Sequence, residues 1–526
     1  MRTPQAWVSR AWQACLGGYA ILLLGSSFGA WVLITEPHFL GTLQQPATMP
    51  HTPFDVKRLN TTQQFQRVFE AAFKRGEGLF NTPFTALDGV GANVGAGQRF
   101  TRVPRAELNA AGEWATHTPA RATGPNAQSC VTCHNQPSAG GAGTVASNTV
   151  RDPLHSGDPR SFIQRKAPHL YGLGAVQRLA EEMTEALQDS RDTAQVLACT
   201  TGQPVTQALS AKEVSFGRIT VTPTGSTPCT VAIDTSQVQG VAADLVVRPF
   251  QWKGIFGFIR AFNRDAAHNE LGMQAVELVG DGVDGDHDGV VDELSVGDMT
   301  ALTIYNAAQP RPTTRVELAN LGLIPPLAAA EVNAIKAGEQ IFNQVGCATC
   351  HIPRLTIDLP LFSEPSQNPH FRDAVFPAGQ DPVLRGVDPA LPIVFDLTHD
   401  QTDNQLKDAN GRVLFRLGSF QKDRDGHTIV ELFGDLKRHD MGPALAESID
   451  EVGTGASVFL TKNLWGVGST APYLHDGRAT TLTEAIVAHG GEGAGSLAAF
   501  QALGPPEQAQ LLAFLHNLVL FKIAAK

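Results

Sequence analysis

Cys130-Val131-Thr132-Cys133-His134 and Cys347-Ala348-Thr349-Cys350-His351 are two copies of one pentad, set more than two hundred residues apart. Two thiols separated by two residues, with a histidine directly after the second, are what covalent attachment of a c-type haem requires. The sulfurs bond the porphyrin vinyl groups and the histidine becomes the proximal iron ligand. Half of a zinc ribbon and a thioredoxin-type redox pair are the alternatives. Structural zinc takes four ligands, usually as two such pairs close in sequence. A redox pair would sit in a strand-then-helix unit, with no reason for a repeated histidine. The expectation is two covalently bound haem c groups, held by Cys130, Cys133 and His134 and by Cys347, Cys350 and His351.

Working outward, 526 residues exceed one ordinary core, so two or three compact units are expected. A net charge of -11 with no basic tract excludes nucleic acid as a partner. Arg2 and Arg10 precede an uncharged stretch from Ala11 to Thr35, which reads as a signal peptide or a signal anchor over residues 1–35. Either places the bulk of the chain in the periplasm or otherwise outside the cytoplasm, with the second supplying an N-terminal membrane anchor. Cys199 and Cys229 are expected to form a disulfide in that oxidising space, with two unpaired buried thiols as the alternative.

The fold class read from these patterns is mainly α: two cytochrome c-like haem domains with a small β-rich insertion. Residues 36–53, containing Pro and Thr, read as a tether. Residues 54–191 form the N-terminal haem domain, where Phe65, Val68, Phe69 and Ala72 follow helical spacing ahead of Cys130. Residues 192–247 turn to Thr, Val, Gly and Pro, and read as the β-rich, disulfide-closed insertion. Residues 248–329 link the two haem units. Residues 330–526 form the C-terminal haem domain, entered by an amphipathic helix over 331–342 and closed by another over 508–518. A faint repeat relates Lys166-Ala167-Pro168-His169-Leu170-Tyr171-Gly172-Leu173-Gly174 to Lys462-Asn463-Leu464-Trp465-Gly466-Val467-Gly468, each downstream of one pentad.

The paired pentads, with Trp465-Gly466-Val467-Gly468, Ala471-Pro472-Tyr473-Leu474-His475-Asp476-Gly477-Arg478 and His489-Gly490-Gly491-Glu492, resemble the bacterial dihaem cytochrome c peroxidase superfamily. Within it the chain looks most like the di-haem oxidoreductase and rubber-oxygenase branches. In the classical peroxidases a methionine about fourteen residues beyond the histidine of the His-Asp-Gly turn ligates the C-terminal haem. Counted from His475, that place holds His489, so the resemblance implies iron ligands His351 and His489 there and His134 alone at the N-terminal haem. Bis-imidazole ligation favours ferric iron and lowers the potential. His475 is expected to structure its turn, and Arg478 to pair with a haem propionate. Relatives carry a tryptophan between the haems, a place Trp252 is expected to take.

An open position at the His134 haem suits a small oxidant, peroxide or dioxygen. His268 and Glu270 are the expected distal acid and base. Asp284, Asp286, Asp288, Val290 and Asp292 follow a calcium-loop pattern, although position 12 is Ser295 where a bidentate Glu is wanted, and Glu293 is the nearest substitute. The reading is thus an exported dihaem peroxidase, drawing electrons from a small redox protein through the C-terminal haem. Its rivals are a dioxygen-dependent oxygenase and a non-catalytic electron carrier.

Overall fold

The structure is a computed structural model that describes residues 65–91, 126–144, 149–151, 162–286, 288–408 and 410–523. The signal segment 1–35 and the tether 36–53 lie outside the described residues. Among those described, no helix is long and apolar enough to cross a membrane.

Helix α1 (Phe65–Asn81) buries Val68, Phe69, Ala72, Phe73, Leu79 and Phe80, the stripe expected of an amphipathic helix. The first pentad follows as the short helix α2 (Cys130–Cys133). Helix α3 (Leu173–Thr201) runs ten residues into the span expected to be an insertion, so helix and not strand occupies 192–201. Strands β1 (Val205–Ala211), β2 (Val214–Ser226) and β3 (Cys229–Asp234) then form one antiparallel sheet in that order. Val214, Phe216, Ile219 and Val221 of β2 are buried in the same core as α1 and α3, so the sheet extends that core. Cys199, near the end of α3, is bonded to Cys229, the first residue of β3, with a Cα–Cα distance of 5.9 Å.

The linking span contributes α4 (Ile259–Ala266), which continues as a wider π turn over Ala267–Leu271, and α5 (Val296–Ala307). Every residue of α5 is buried. It crosses α1 so closely that a Cβ on Gly76 would lie 2.1 Å from the Ala301 carbonyl oxygen. This span therefore packs into the same core as α1. Arg260 binds Glu277 and, at 2.7 Å, Glu364, while Arg264 binds Glu277 and Asp373 at 2.7 and 3.0 Å. Buried charges need such full pairing, and here the pairing fixes the helix that leads to Glu270.

The second core is smaller. Ile335, Ile341 and Phe342 of α6 (Ala329–Gln344) pack with Leu482 of α7 (Leu482–Val487), Phe500 of α8 (Ala494–Gln501), and Leu511, Phe514 and Leu515 of α9 (Pro505–Asn517). Again a glycine marks the crossing, since a Cβ on Gly338 would lie 1.9 Å from the Gln510 carbonyl oxygen. Between the second pentad and α7 the chain is not helical as a plain cytochrome would be. Residues 355–460 form two-stranded ribbons, Leu355–Ile357 with Thr428–Val430, Leu361–Glu364 with Ile393–Asp396, Gln405–Lys407 with Val413–Arg416, and Arg438–Asp440 with Val458–Leu460. Prolines such as Pro360, Pro365, Pro369, Pro377, Pro382, Pro389 and Pro392 punctuate it, each removing a backbone donor that a longer helix would need.

Candidate functional site

Each pentad opens onto a cavity. The larger, about 610 Å³, is walled by Cys347, Cys350, His351 and His489 on one side and by His169, Lys462 and Trp465 on another. The second, at about 120 Å³ the tighter of the two, is walled by Cys130, Cys133, His134, Phe80, Phe84 and Glu270. Lys166, Gln251, Trp252 and Phe262 line both. None of the four pentad cysteines is in a disulfide, so all four are available for thioether formation.

The imidazoles are set by their backbones. His351 Nδ1 lies 3.2 Å from the Phe433 carbonyl and His489 Nδ1 lies 2.8 Å from that of Ala485, which leaves both Nε2 atoms for the cavity. The ring centroids stand 6.4 Å apart. One metal ion bonded to both rings spans such a gap, two bonds of about 2 Å with the ring radii added. Burial, with the neighbouring His489, pushes the His351 imidazole down to about 4, so it is neutral and able to ligate. At the other pentad His134 Nδ1 faces the Gly141 carbonyl at 3.3 Å, and burial again pushes the ring down to about 4. Phe80 sits 6.3 Å from His134 and Phe342 sits 6.5 Å from His351, ring to ring, so the two pentads are backed alike. The donor sets at both places fit a covalently held haem. No second histidine and no methionine lines the cavity of His134 among the described residues.

Trp252 stands between the cavities, its indole N–H donating to the Lys166 carbonyl at 2.9 Å. Glu270 lies in the wall of the tighter cavity, its carboxylate held by the Asn126 amide at 2.8 Å. His268, buried on the same π turn, is absent from the walls of both cavities, because that turn directs positions 268 and 270 apart. Arg478 also departs from expectation. It is half exposed, pairs with Asp476 at 2.6 Å and donates to the Ala444 carbonyl, and so faces away from the cavities. The lysines in their walls are Lys166 and Lys462; Arg165 also lines the tighter cavity but is paired with Glu447 and Glu451. Burial pushes Lys166 down to about 8 and Lys462 to about 7. Such ammonium groups suit the carboxylates a haem would bring. His475 is buried, stacked on Phe459 at 4.5 Å, with its backbone carbonyl accepting from Lys166 N–H.

The repeat between residues 166–174 and 462–468 has a spatial meaning, since the two segments touch. His169 Nε2 lies 3.0 Å from the Trp465 carbonyl, and the Trp465 ring fills the space beside Gly172. Two features were missed from sequence. His439, in the wall of the larger cavity, is clamped by Asp435 at 2.8 Å and Glu492 at 2.7 Å. Burial opposes its charge, but these carboxylates and Cys350 raise it to about 11. Nothing in local spacing marks it; only Glu492, three residues after His489, hints at a partner. The second is a closer repeat, Lys74-x-Gly76-Glu77-x-Leu79-Phe80 against Lys336-x-Gly338-Glu339-x-Ile341-Phe342, which marks the helix behind each pentad.

At the expected calcium loop the carboxylates of Asp284, Asp286 and Asp288 gather within 4.8 Å. Asp292 instead accepts from the Gly282 N–H at 2.7 Å, Val290 donates its own N–H to Asp288, and Glu293 accepts from Gln274 N–H. Ser295 caps α5.

Two Cys-x-x-Cys-His pentads open onto cavities that share a tryptophan, an arrangement that suits a dihaem redox protein. Residues 422–518 match the model of the family described as "Di-haem oxidoreductase, putative peroxidase". That segment, which holds His439, Lys462, Trp465, His475 and His489, is similar to the di-haem oxidoreductases. Among solved structures, one similar chain is the hydrazine synthase of Kuenenia stuttgartiensis, at 17% identity over 43% of this chain and 56% of that one, with a TM-score of 0.20. Another is a MauG-like protein associated with microbial copper homeostasis, at 16% identity over 66% and 89%, with a TM-score of 0.26. The chain thus spans just over half of the hydrazine synthase chain. No curated protein matches.

Proposed function

We propose that this protein is an exported c-type dihaem peroxidase that reduces peroxide at the His134 site with electrons received at the His351 and His489 site. The observation that carries the reading is the asymmetry of the two cavities. His351 is faced by a second imidazole at 6.4 Å, whereas His134 is faced by none among the described residues. Haem, when bound, supplies an iron that exchanges single electrons and can bind an oxidant where a position is open.

The chain's own residues supply the rest. Peroxide reduction takes up two electrons and two protons and yields two waters. Glu270, fixed by Asn126, is placed to carry a proton between the two oxygens. Trp252 offers a π-system shared by both walls. Lys166 supplies positive charge for a porphyrin carboxylate in place of Arg478. A small redox protein is the electron donor in this reading. Calcium at Asp284, Asp286 and Asp288 is part of it too, supported by their convergence.

The walls around His134 also favour a second reading, a dioxygen-dependent oxygenase acting on an apolar substrate, since Phe80, Phe84, Phe262, Leu170, Leu271, Leu294 and Leu302 dominate them. Electron paramagnetic resonance of the resting holoprotein tests both against a simple electron carrier. One high-spin and one low-spin ferric centre, with cyanide binding only to the first, is expected. Two low-spin centres that ignore cyanide would overturn the enzyme reading. Turnover of peroxide with a reduced donor, against oxygen uptake with polyisoprene, then separates the two enzymes.

A further inference from the structure

Lys462 occupies an unusual place. Its ammonium lies 4.8 Å from the centroid of the Trp252 ring and donates to the carbonyl of the adjacent Gln251 at 2.9 Å. Gln251 takes a left-handed backbone conformation, φ 64°, and its amide is tied to Asp265 at 2.7 Å. The indole N–H is meanwhile bonded to the Lys166 carbonyl. Trp252 is thus held from two sides by the two repeated segments, one lysine over its face and the backbone of another at its edge. Among the described residues, Arg165 and His169 are further charged or titratable groups within electrostatic reach of Lys462.

A cation over an indole face is attracted to the neutral ring's electron density. Removing an electron from that ring replaces the attraction with repulsion between two positive charges in a partly desolvated place. Losing the indole proton offers no escape, because its acceptor is a backbone carbonyl, which is not a base at neutral pH. From these contacts we infer that Lys462 is a positioning residue that keeps Trp252 from being oxidised, so that electrons cross it without leaving a tryptophan radical behind. The inference rests on the relay reading of Trp252. In each crossing one electron leaves the donor side and one arrives at the acceptor side, and the indole ends with the electrons and the proton it began with.

The test uses a photogenerated one-electron oxidant on the dihaem protein at pH 6, below the value near 7 to which burial pushes Lys462. Each oxidant molecule takes one electron from an indole, and the radical is trapped by dioxygen as oxygen-addition products counted by peptide mass spectrometry. Trp465 serves as the internal reference. In Lys462→Met the ratio of oxidised Trp252 to oxidised Trp465 should rise about tenfold over the parent. In Lys462→Arg, which keeps the cation, it should stay near the parent value. An unchanged ratio in Lys462→Met, or an equal rise in Lys462→Arg, overturns the inference. The relay reading is scored separately, by the rate of electron transfer between the haems in Trp252→Phe. If that rate is unchanged the relay falls, while the oxidation ratio still decides the role of Lys462.

Discussion

At the scale of single residues, the proposed difference in iron ligation between the two sites rests on His489 and is convertible. The His489 ring is held beside His351 by the Ala485 carbonyl, and in the proposed reading His489→Ala leaves the haem there with a single protein ligand. The expected outcome is a second high-spin signal and a second cyanide-binding centre, measured on the same sample as the parent; a spectrum like the parent's would mean another side chain ligates there. Glu270 makes the complementary case. If it carries the peroxide proton, Glu270→Gln keeps the Asn126 contact and the shape but loses the proton site. Steady-state peroxide turnover should then fall by about 10²- to 10⁴-fold with haem content unchanged. A loss below threefold would move the proton role elsewhere in the wall.

At the scale of elements, the helices behind the pentads are specified by small residues as much as by apolar ones. Gly76 and Gly78 lie in one helix and make opposite demands. A Cβ at 76 would meet the Ala301 carbonyl at 2.1 Å, whereas one at 78 meets nothing within 4 Å. Gly76→Ala should therefore cost about 1–3 kcal/mol by forcing α1 off α5. Gly78→Ala should add about 0.5–1 kcal/mol, because alanine gives up less backbone freedom in a helix. Urea denaturation midpoints of the two variants check the pair, and shifts of the same sign would refute the close crossing. This level was partly legible. The apolar period gave away α1, α6 and α9 because helix periodicity is local. The ribbons between 355 and 460 were not, because each strand is only three or four residues long and its partner lies as much as about seventy residues away, as with Thr356 and Ile429.

Across the whole molecule, what could be read was what chemistry forces to be contiguous. Haem attachment needs Cys-x-x-Cys-His in one run, so Cys130 to His134 and Cys347 to His351 stand out, while His489 was pointed to by the resemblance to the dihaem peroxidases, counted from His475. Contacts made by folding could not be read: Lys462 over Trp252, Arg478 turned to Asp476, His439 between Asp435 and Glu492. The last of these spans the family-matching segment, tying the strand Arg438–Asp440 to the loop just after His489, and it makes a claim about pH. The ordinary value of a histidine is near 6.5, and in the folded chain His439 is raised to about 11. A group whose folded value lies above its unfolded one contributes its full stabilisation below pH 6.5 and loses it as pH climbs toward 11, because the unfolded chain gives up the proton first. His439→Gln, which keeps polarity without the charge, should therefore be less stable than the parent by a gap that is widest below pH 6.5 and narrows steadily toward pH 11. Urea midpoints at half-unit intervals of pH would trace it. A gap independent of pH would mean that His439 is held as a neutral ring and that the loop carrying His489 is fastened by something other than this buried charge.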